Sequence, residues 1–448
     1  MEELRRELAH RPLVLAALAL CVGLTVVLHP LSLLGLPALL LVRRPWPVAL
    51  AFVLGLTLAP HPVESLRASE WVRGPATVLS VPYEAPEGLL ADVAMQGRRF
   101  RARFPREALV SRGDVWRLEG SAKPLSEAAE PLALKGIEGK LTPEAFEKVE
   151  DGPLAWRLAD GWRRGFAHFV RRSLAPDDAR WLLGFAIRSA DFDEAEREGL
   201  VDTGTVHLIA ASGLHVAILG TVVMALGGLF GAPRAAILGV TAAIVVLYAM
   251  ATGLHLPTVR AAVALVVGSS AYMLRREPDG LSALALAVLL YLPFDPAQVY
   301  GIGFQLSTTV VGMLVLWPRR DAEPPRTALR FFLAHGRDLV AVSLVAALAA
   351  EPILAAREGQ ISLLTVPTNL LAVPPAMAAV ALSLVAHPLK AGWMMPWVGG
   401  LVACARSVIV GAGALPGQVG VPPFSPYLLV PFYVAWIGFW RPRARPCR

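Results

Sequence analysis

His207, Ser212 and His215 lie within residues 204–220, a run otherwise made mostly of Leu, Val, Ile, Ala and Gly. A serine between two histidines in apolar surroundings fits three chemistries: nucleophilic hydrolysis, metal binding, or a polar lining for something that passes through. The serine sits in Ala210-Ala-Ser-Gly-Leu214, which lacks the flanking glycines of a nucleophile elbow. The two histidines are eight positions apart, about 80° around an ideal helix. One metal could take both only if the helix broke at Ser212-Gly213. Neither HExxH nor HxH occurs in the chain, so no metal and no cofactor is expected. Polar groups at hydrocarbon depth are costly and mark functional sites by default. The expectation is a broken, glycine-bearing helix that lines a path. An intramembrane hydrolase using Ser212 and a histidine is the enzymatic alternative.

Three more polar islands interrupt apolar runs downstream. In residues 251–260 Pro257 starts a helix and Arg260 falls about one turn in. Residues 301–307 hold Gln305 and Ser307, and residues 351–369 hold Glu351, Gln360, Ser362, Thr365, Thr368 and Asn369, the only asparagine. Ser307 and Thr368 are expected to bond back to their own helices. His207, Arg260, Gln305 and Asn369 are expected to face a common interior, because each is costly in lipid without a partner. Glu351 would then need a cation such as Arg260 or Arg357.

The elements that must position these groups are membrane helices. Of 448 residues 55% are hydrophobic and only 17% charged, with a mean hydropathy of +0.54, where a soluble domain carries about a quarter charged residues. Apolar runs at 13–28, 31–42 and 45–60, then near 204–230, 234–251, 257–274, 281–293, 297–317, 338–356, 361–388, 395–415 and 426–440, predict about 11 or 12 spans, some short or broken. With the N-terminus in the cytoplasm and a crossing at each run, the inner loops hold Arg43-Arg44, Arg234, Arg275-Arg276, five arginines between Arg319 and Arg337, Lys390 and the tail arginines. That satisfies the positive-inside rule and places residues 62–200 outside. The net charge of +7 reflects this distribution. Cys21, Cys404 and Cys447 are too scattered for a disulfide framework. One asparagine and five glutamines among abundant Arg, Pro, Leu and Ala suggest a thermophile.

Residues 69–142 differ from the rest. Apolar residues alternate in short stretches separated by Gly and Pro, which predicts a small β domain of barrel or sandwich type. In Arg98-Arg-Phe-Arg-Ala-Arg-Phe104 the alternation puts Arg99, Arg101 and Arg103 on one face and Phe100 and Phe104 on the other, in the core. The arginine face, with Arg98, is a candidate for phosphate contact. Residues 153–174 form an amphipathic basic helix with Leu154, Leu158, Trp162, Phe166 and Phe169 on one side. Arg157, Arg164, His168 and Arg171 lie opposite, at the lipid interface or, for Arg164 and Arg171, along a nucleic-acid path. Asp177–Leu200 reads as a further helical stretch with Trp181, Leu182, Phe185 and Ala186 inward.

The motif His207-Leu-Ile-Ala-Ala-Ser-Gly-Leu-His215 resembles the hallmark of the ComEC family of competence proteins. Thr252-Gly-Leu…Pro-Thr-Val-Arg260, Gly303-Phe-Gln-Leu-Ser307 and Pro367-Thr-Asn-Leu-Leu-Ala-Val-Pro374 are similar to later motifs of that family, in the same order. The β domain, closing with Lys135-Gly-Ile137, resembles the family's extracellular OB-like domain, and the likeness covers roughly residues 10–390. It implies a multi-pass channel in the cytoplasmic membrane that passes single-stranded DNA during natural transformation. The implied organisation is helices at 1–62, the OB-like domain at 69–142, interfacial helices at 153–200, the channel domain at 204–441 and a basic cytoplasmic tail at 442–448. Partners implied are single-stranded DNA, lipid, a DNA receptor, a nuclease and a cytoplasmic translocase, with a homo-oligomer compatible. Many members carry a further metallo-β-lactamase-like domain suspected of nuclease activity. This sequence shows no His and Asp cluster of that type, so a transport channel and not an enzyme is expected. A small-solute or anion transporter with broken helices at the midplane is the alternative from another class.

Overall fold

The structure is a computed structural model that describes residues 11–26, 46–85, 88–125, 130–189, 192–209, 213–273, 275, 279–317, 328–422, 424–425 and 428–440. The expected span at 31–42, Ser212, the basic tail, and Arg43, Arg44, Arg276, Arg319, Arg320 and Arg326 lie outside these residues. In chain order, α1 (Pro12–Val26) and α2 (Trp46–Leu58) precede β1 (Glu70–Val78), β2 (Tyr83–Ala85), β3 (Gly88–Met95), β4 (Arg98–Phe104) and β5 (Val115–Pro124). A short α3 (Glu130–Leu134) leads to β6 (Ile137–Glu150), then α4 (Leu154–Ser173), α5 (Pro176–Ile187) and α6 (Glu194–Asp202). The apolar helices follow: α7 (Gly213–Leu229), α8 (Arg234–Ala251), α9 (Leu256–Met273), α10 (Gly280–Tyr291) and α11 (Ile302–Leu316). Last come α12 (Ala328–Glu358), β7 (Gln360–Ser362), α13 (Thr365–Ala386), α14 (Met395–Gly413), β8 (Gln418–Gly420) and α15 (Leu429–Trp440).

By length and composition, four helical stretches among the described residues could cross a membrane: Arg234–Ala251, Gly336–Arg357, Thr365–Ala386 and Gly392–Gly413. Six more are apolar but shorter, where the sequence predicts about 11 or 12 spans, some of them short or broken. The run expected as one span over 204–230 is helical as α7 only from Gly213, and residues 206–208 form a separate 3₁₀ turn. Gly204 precedes that turn at φ +65°, a left-handed backbone that ends the preceding helix. The single amphipathic stretch expected over 177–200 is two helices, parted at Arg188, whose φ is +55°. Its inward set holds, with Trp181, Leu182, Phe185 and Ala186 all buried.

The chain folds as two compact units. One comprises Met1–Asp191, Ile209–Gly301 and Ala379–Gly399, and the other Phe192–Leu208, Ile302–Ala378 and Gly400–Arg448. In the first, α1 and α2 cross where both carry glycine. A Cβ on Gly23 would fall 2.4 Å from the Phe52 carbonyl oxygen, and one on Gly55 2.5 Å from that of Leu20. Glycines seven apart do similar work on α7. A Cβ on Gly220 would lie 2.8 Å from Leu265 of α9, and one on Gly227 2.7 Å from Ile237 of α8. Small residues at this spacing let helices approach in lipid, where no hydrophobic force drives them together.

The β domain is a six-stranded sheet in the order β1-β5-β6-β4-β3-β2. All pairings are antiparallel except β4 with β6. The expected barrel is not closed. β2 is an open edge, and β1 meets β3 at only three positions, Ala76–Val78 against Met95–Val93. The alternation read from sequence places Val78, Val93, Phe100, Phe104, Trp116, Leu118 and Leu141 in one core. β6 runs on to Glu150 against β5, with a register shift at Glu119/Gly120. Its residues from Glu144 onward are exposed on both faces, so this part of the strand has no apolar alternation to reveal it.

In the second unit, Met313 of α11 packs with Val345 and Ala349 of α12, flanked by Trp317 and by Trp436 of α15. Tyr433 of α15 donates to the Ala349 carbonyl at 2.7 Å. Asp193 caps α6 in a capping box with Glu196.

Candidate nucleic-acid interface

β4 carries four arginines, and each of them interacts with other groups of the protein. Phe100 and Phe104 point into the core and Arg99, Arg101 and Arg103 point away, as the alternation predicts, while Arg98 lies over the Phe100 ring at 5.1 Å. Arg98 lies between Glu138 at 2.7 Å and Glu70 at 2.6 Å. The hydrogen bond it donates to Glu138, with that to Glu70 behind it, outweighs slight burial and makes its guanidinium still harder to deprotonate. Arg101 forms a fork with Asp92 at 2.8 and 3.2 Å and lies over the Tyr83 ring at 5.7 Å. Exposed Arg99 donates to the Lys135 carbonyl at 3.1 Å. Two of these guanidiniums, at Arg98 and Arg101, thus already face carboxylates, and Arg103 stands at the exposed end of the strand.

α4 is fastened to this domain. Arg171 donates to both oxygens of Glu84 at 2.6 and 2.7 Å, Arg163 to the Pro82 carbonyl, and Arg112 lies over the Trp156 ring at 4.6 Å. The face of α4 that packs on the protein leaves out the leucine end of its apolar stripe. Leu154 and Leu158 are 66% and 57% exposed, while Ala159, Asp160, Phe166, Ala167 and Val170 are buried. The side toward the protein takes small residues and an ion pair, Arg163 to Asp160 at 3.3 Å, which leaves the leucines outward. Burial pushes the Asp160 carboxyl up, against the pull of Arg163. Arg164 is half-buried on the flank.

Aromatic rings join α4 to the apolar helices of its unit. Trp162 meets Tyr248 at 6.0 Å, and His387 sits among Trp162, Phe166 and Phe169 at 5.6–6.0 Å. His387 thus touches α4, and Lys390 follows three residues later.

The polar islands gather in two places. In the first unit, the N-terminus of α7 meets the first turn of α9. A Cβ on Gly213 would stand 3.0 Å from Arg260 Nη2, 3.2 Å from the Ala261 Cβ and 3.5 Å from the Pro257 carbonyl oxygen. Arg260 Nε is buried without a hydrogen-bond partner among the described residues. His215, fully buried, is on the first turn of α7. In the second unit, Glu351 of α12 accepts from the Thr365 hydroxyl at 2.7 Å and from Ser362 N–H at 3.3 Å. The Ser362 hydroxyl donates to the Asp202 carbonyl, and Gln418 of β8 donates to the Asp202 carboxylate. A Cβ on Gly204 would collide with Thr365, and His207 Nδ1 lies 3.0 Å from the Gly204 carbonyl oxygen.

Glu351 is therefore held by a hydroxyl and a backbone N–H, groups that the sequence reading flagged in the same island but did not pair with it. Asn369, one turn beyond Thr365, has a buried Oδ1 with no hydrogen-bond partner among the described residues. Ser307 does not bond back to its helix as expected. Its neighbour Thr308 does, to the Phe304 carbonyl at 2.8 Å, and Gln305 lies half-buried in the same turn. Replacing Glu351 with leucine leaves the Thr365 hydroxyl and the Ser362 N–H without their acceptor. The expected cost is about 1–3 kcal/mol, read as a lower apparent Tm of the purified protein. An unchanged Tm would show that the network contributes nothing.

Among the described residues no group of three or more His, Cys, Asp or Glu side chains could hold a metal ion. A family model described as "Competence protein" matches residues 186–446. The chain is 29% identical over 213 residues to "ComE operon protein 3" of Bacillus subtilis, covering 47% of this chain and 26% of that protein. It is 33% identical over 126 residues to "Recombination protein 2" of Haemophilus influenzae, covering 26% of this chain and 16% of that protein. The matched regions thus span about a quarter or less of these relatives. No solved structure matches the chain.

Proposed function

The chain belongs to the Competence protein family, and from that premise we propose that it is a channel carrying single-stranded DNA across the cytoplasmic membrane in natural transformation. The observation that carries this reading is the extent of the family match. Residues 186–446 include all four polar islands, so the costly groups in the apolar runs fall where the family likeness lies.

The geometry supports the reading in two further ways. A polyanion needs a wet path of positive potential. The junction of α7 with α9 joins a helix N-terminus, itself partially positive, to the guanidinium of Arg260, whose Nε has no hydrogen-bond partner among the described residues. Two positive ends side by side in an apolar environment oppose each other unless an anion lies between them. Upstream, the strand order β1-β3-β4-β6-β5, with β4 and β6 parallel and β1 returning to β3, resembles the partly open five-stranded barrel of the OB type. Folds of that type bind single strands. The domain with α4 would stand outside the membrane to receive the strand, with Arg234, Arg275 and Arg337 on the cytoplasmic side. Strand degradation and the motive force would come from a nuclease and a translocase.

Deletion of the gene in a transformable host should abolish entry of labelled DNA into the cytoplasm, while DNA still binds at the cell surface. Complementation with the full chain should restore entry. Undiminished entry in the deletion strain would refute the reading.

A further inference from the structure

The β domain contains a groove of about 420 Å³ that strand alternation alone does not reveal. Its lining includes Arg103, Phe104, Arg106 and Glu107 at the end of β4 and beyond, and Thr142 and Phe146 on β6. The size lies within the range of sites for small organic groups, about 300–1,000 Å³. Two rings line it, Phe104 and Phe146, and Trp116 contacts both. Phe104 and Trp116 stand edge to face at 5.6 Å, and Trp116 and Phe146 are tilted at 6.2 Å. Phe104 and Trp116 are buried in the core, whereas Phe146 is 42% exposed.

A single exposed phenylalanine is ordinary, and its setting is what gives this one meaning. Phe146 lies where β6 pairs with β5 but nothing covers either face. Its ring contacts Trp116 at a tilt and lines a groove edged by two exposed arginines. Arg106 is oriented by a hydrogen bond to the Ala85 carbonyl at 3.3 Å. Glu107 removes part of the positive charge, so phosphate attraction alone would be modest. Trp71 and Tyr83 are also exposed on this domain, at 56% and 38%, but Phe146 is the exposed ring that lines the groove with the arginines. Stacking on such a ring selects an unpaired base, because bases in a duplex are already stacked on their neighbours.

We propose that the groove is a stacking subsite for single-stranded DNA, in which one base lies on the Phe146 ring and Arg103 and Arg106 hold flanking phosphates. This rests on the DNA-channel reading and deepens it, placing first contact at the far end of β4.

The test is fluorescence anisotropy of labelled oligo(dT) with the full-length protein in detergent, titrated at several salt concentrations. Phe146→Ala and Phe146→Leu should each weaken binding by roughly 5- to 100-fold, since a stacked base contributes about 1–3 kcal/mol. Phe146→Trp should retain it, which separates loss of a π-face from loss of fold. Arg103→Gln and Arg106→Gln should each flatten the salt slope by about 0.7. Phe146→Ala and Phe146→Leu variants that bind as tightly as the parent would overturn the subsite and leave the channel reading standing. A parent protein that binds no oligo(dT) would also overturn the subsite, and the uptake experiment would then decide the channel reading separately.

Discussion

Arg260→Ala is expected to lower the frequency of transformation by about 10- to 100-fold while the protein still inserts in the membrane. The guanidinium stands on the first turn of α9, against the first residue of α7, and its Nε has no hydrogen-bond partner among the described residues. A buried cation with an unpartnered N–H costs stability, so its removal should not impair folding, and packing alone would predict a neutral or stabilising change. A hydrogen bond from a charged group to a passing phosphate is worth roughly 1.5–3 kcal/mol, which at 1.4 kcal/mol per decade gives the stated range. Gly213→Val provides a positional control. Its Cβ would crowd Arg260 Nη2 at 3.0 Å and the Ala261 side chain at 3.2 Å, so it should reduce passage without removing any charge. Arg260→Lys should recover part of the loss. Normal transformation by both Arg260→Ala and Gly213→Val would return this junction to helix packing.

The largest loss of stability is expected from Asp114→Ala. This carboxylate is fully buried and accepts from the Gly152 N–H at 2.7 Å and the Ser111 N–H at 2.8 Å. It also meets Lys148 Nζ at 2.9 Å. The alanine variant orphans two backbone donors and leaves a lysine without one of its two carboxylates, the other being Asp151 at 2.7 Å. Each buried backbone donor left without its acceptor costs about 1–3 kcal/mol. The effect should spread beyond the sheet. Asp114 lies where the loop into β5 crosses the loop into α4, so closely that a Cβ on Gly113 would fall 2.6 Å from Pro153 and one on Gly152 2.6 Å from the Arg112 carbonyl oxygen. Limited proteolysis of the full-length protein should therefore cut near residues 151–153 in the variant before it cuts the parent. Asp114→Asn, which keeps an acceptor, should be milder. Equal resistance in Asp114→Ala and parent would show that the crossing is held by the chain alone.

Local pattern in the sequence was enough for several features of this protein. The apolar runs separate the helical part from the β domain, because burial in lipid and burial in a soluble core leave different periodicities. Phe100, Phe104, Val93 and Leu141 face one core because a strand alternates its side chains wherever it pairs. The four polar islands stand out because polar groups are expensive among apolar ones. Tertiary structure decided how these features combine. Arg98 and Arg101 look like free cations along β4 until the sheet order brings Glu70, Glu138 and Asp92 beside them, and no local pattern encodes which strands become neighbours. The helix moment of α4 shows that one side is apolar, but only docking on the sheet turns Asp160 and Arg163 inward and leaves Leu154 and Leu158 out. Likewise, residue types mark His207, Arg260 and Glu351 as unusual, while the fold determines that Arg260 meets Gly213 and that Glu351 meets Thr365. Propensity and hydrophobic period act over a few residues and are written in the chain. Charge pairing and close backbone approach act across segments hundreds of residues apart, and they exist only once the helices and strands have packed.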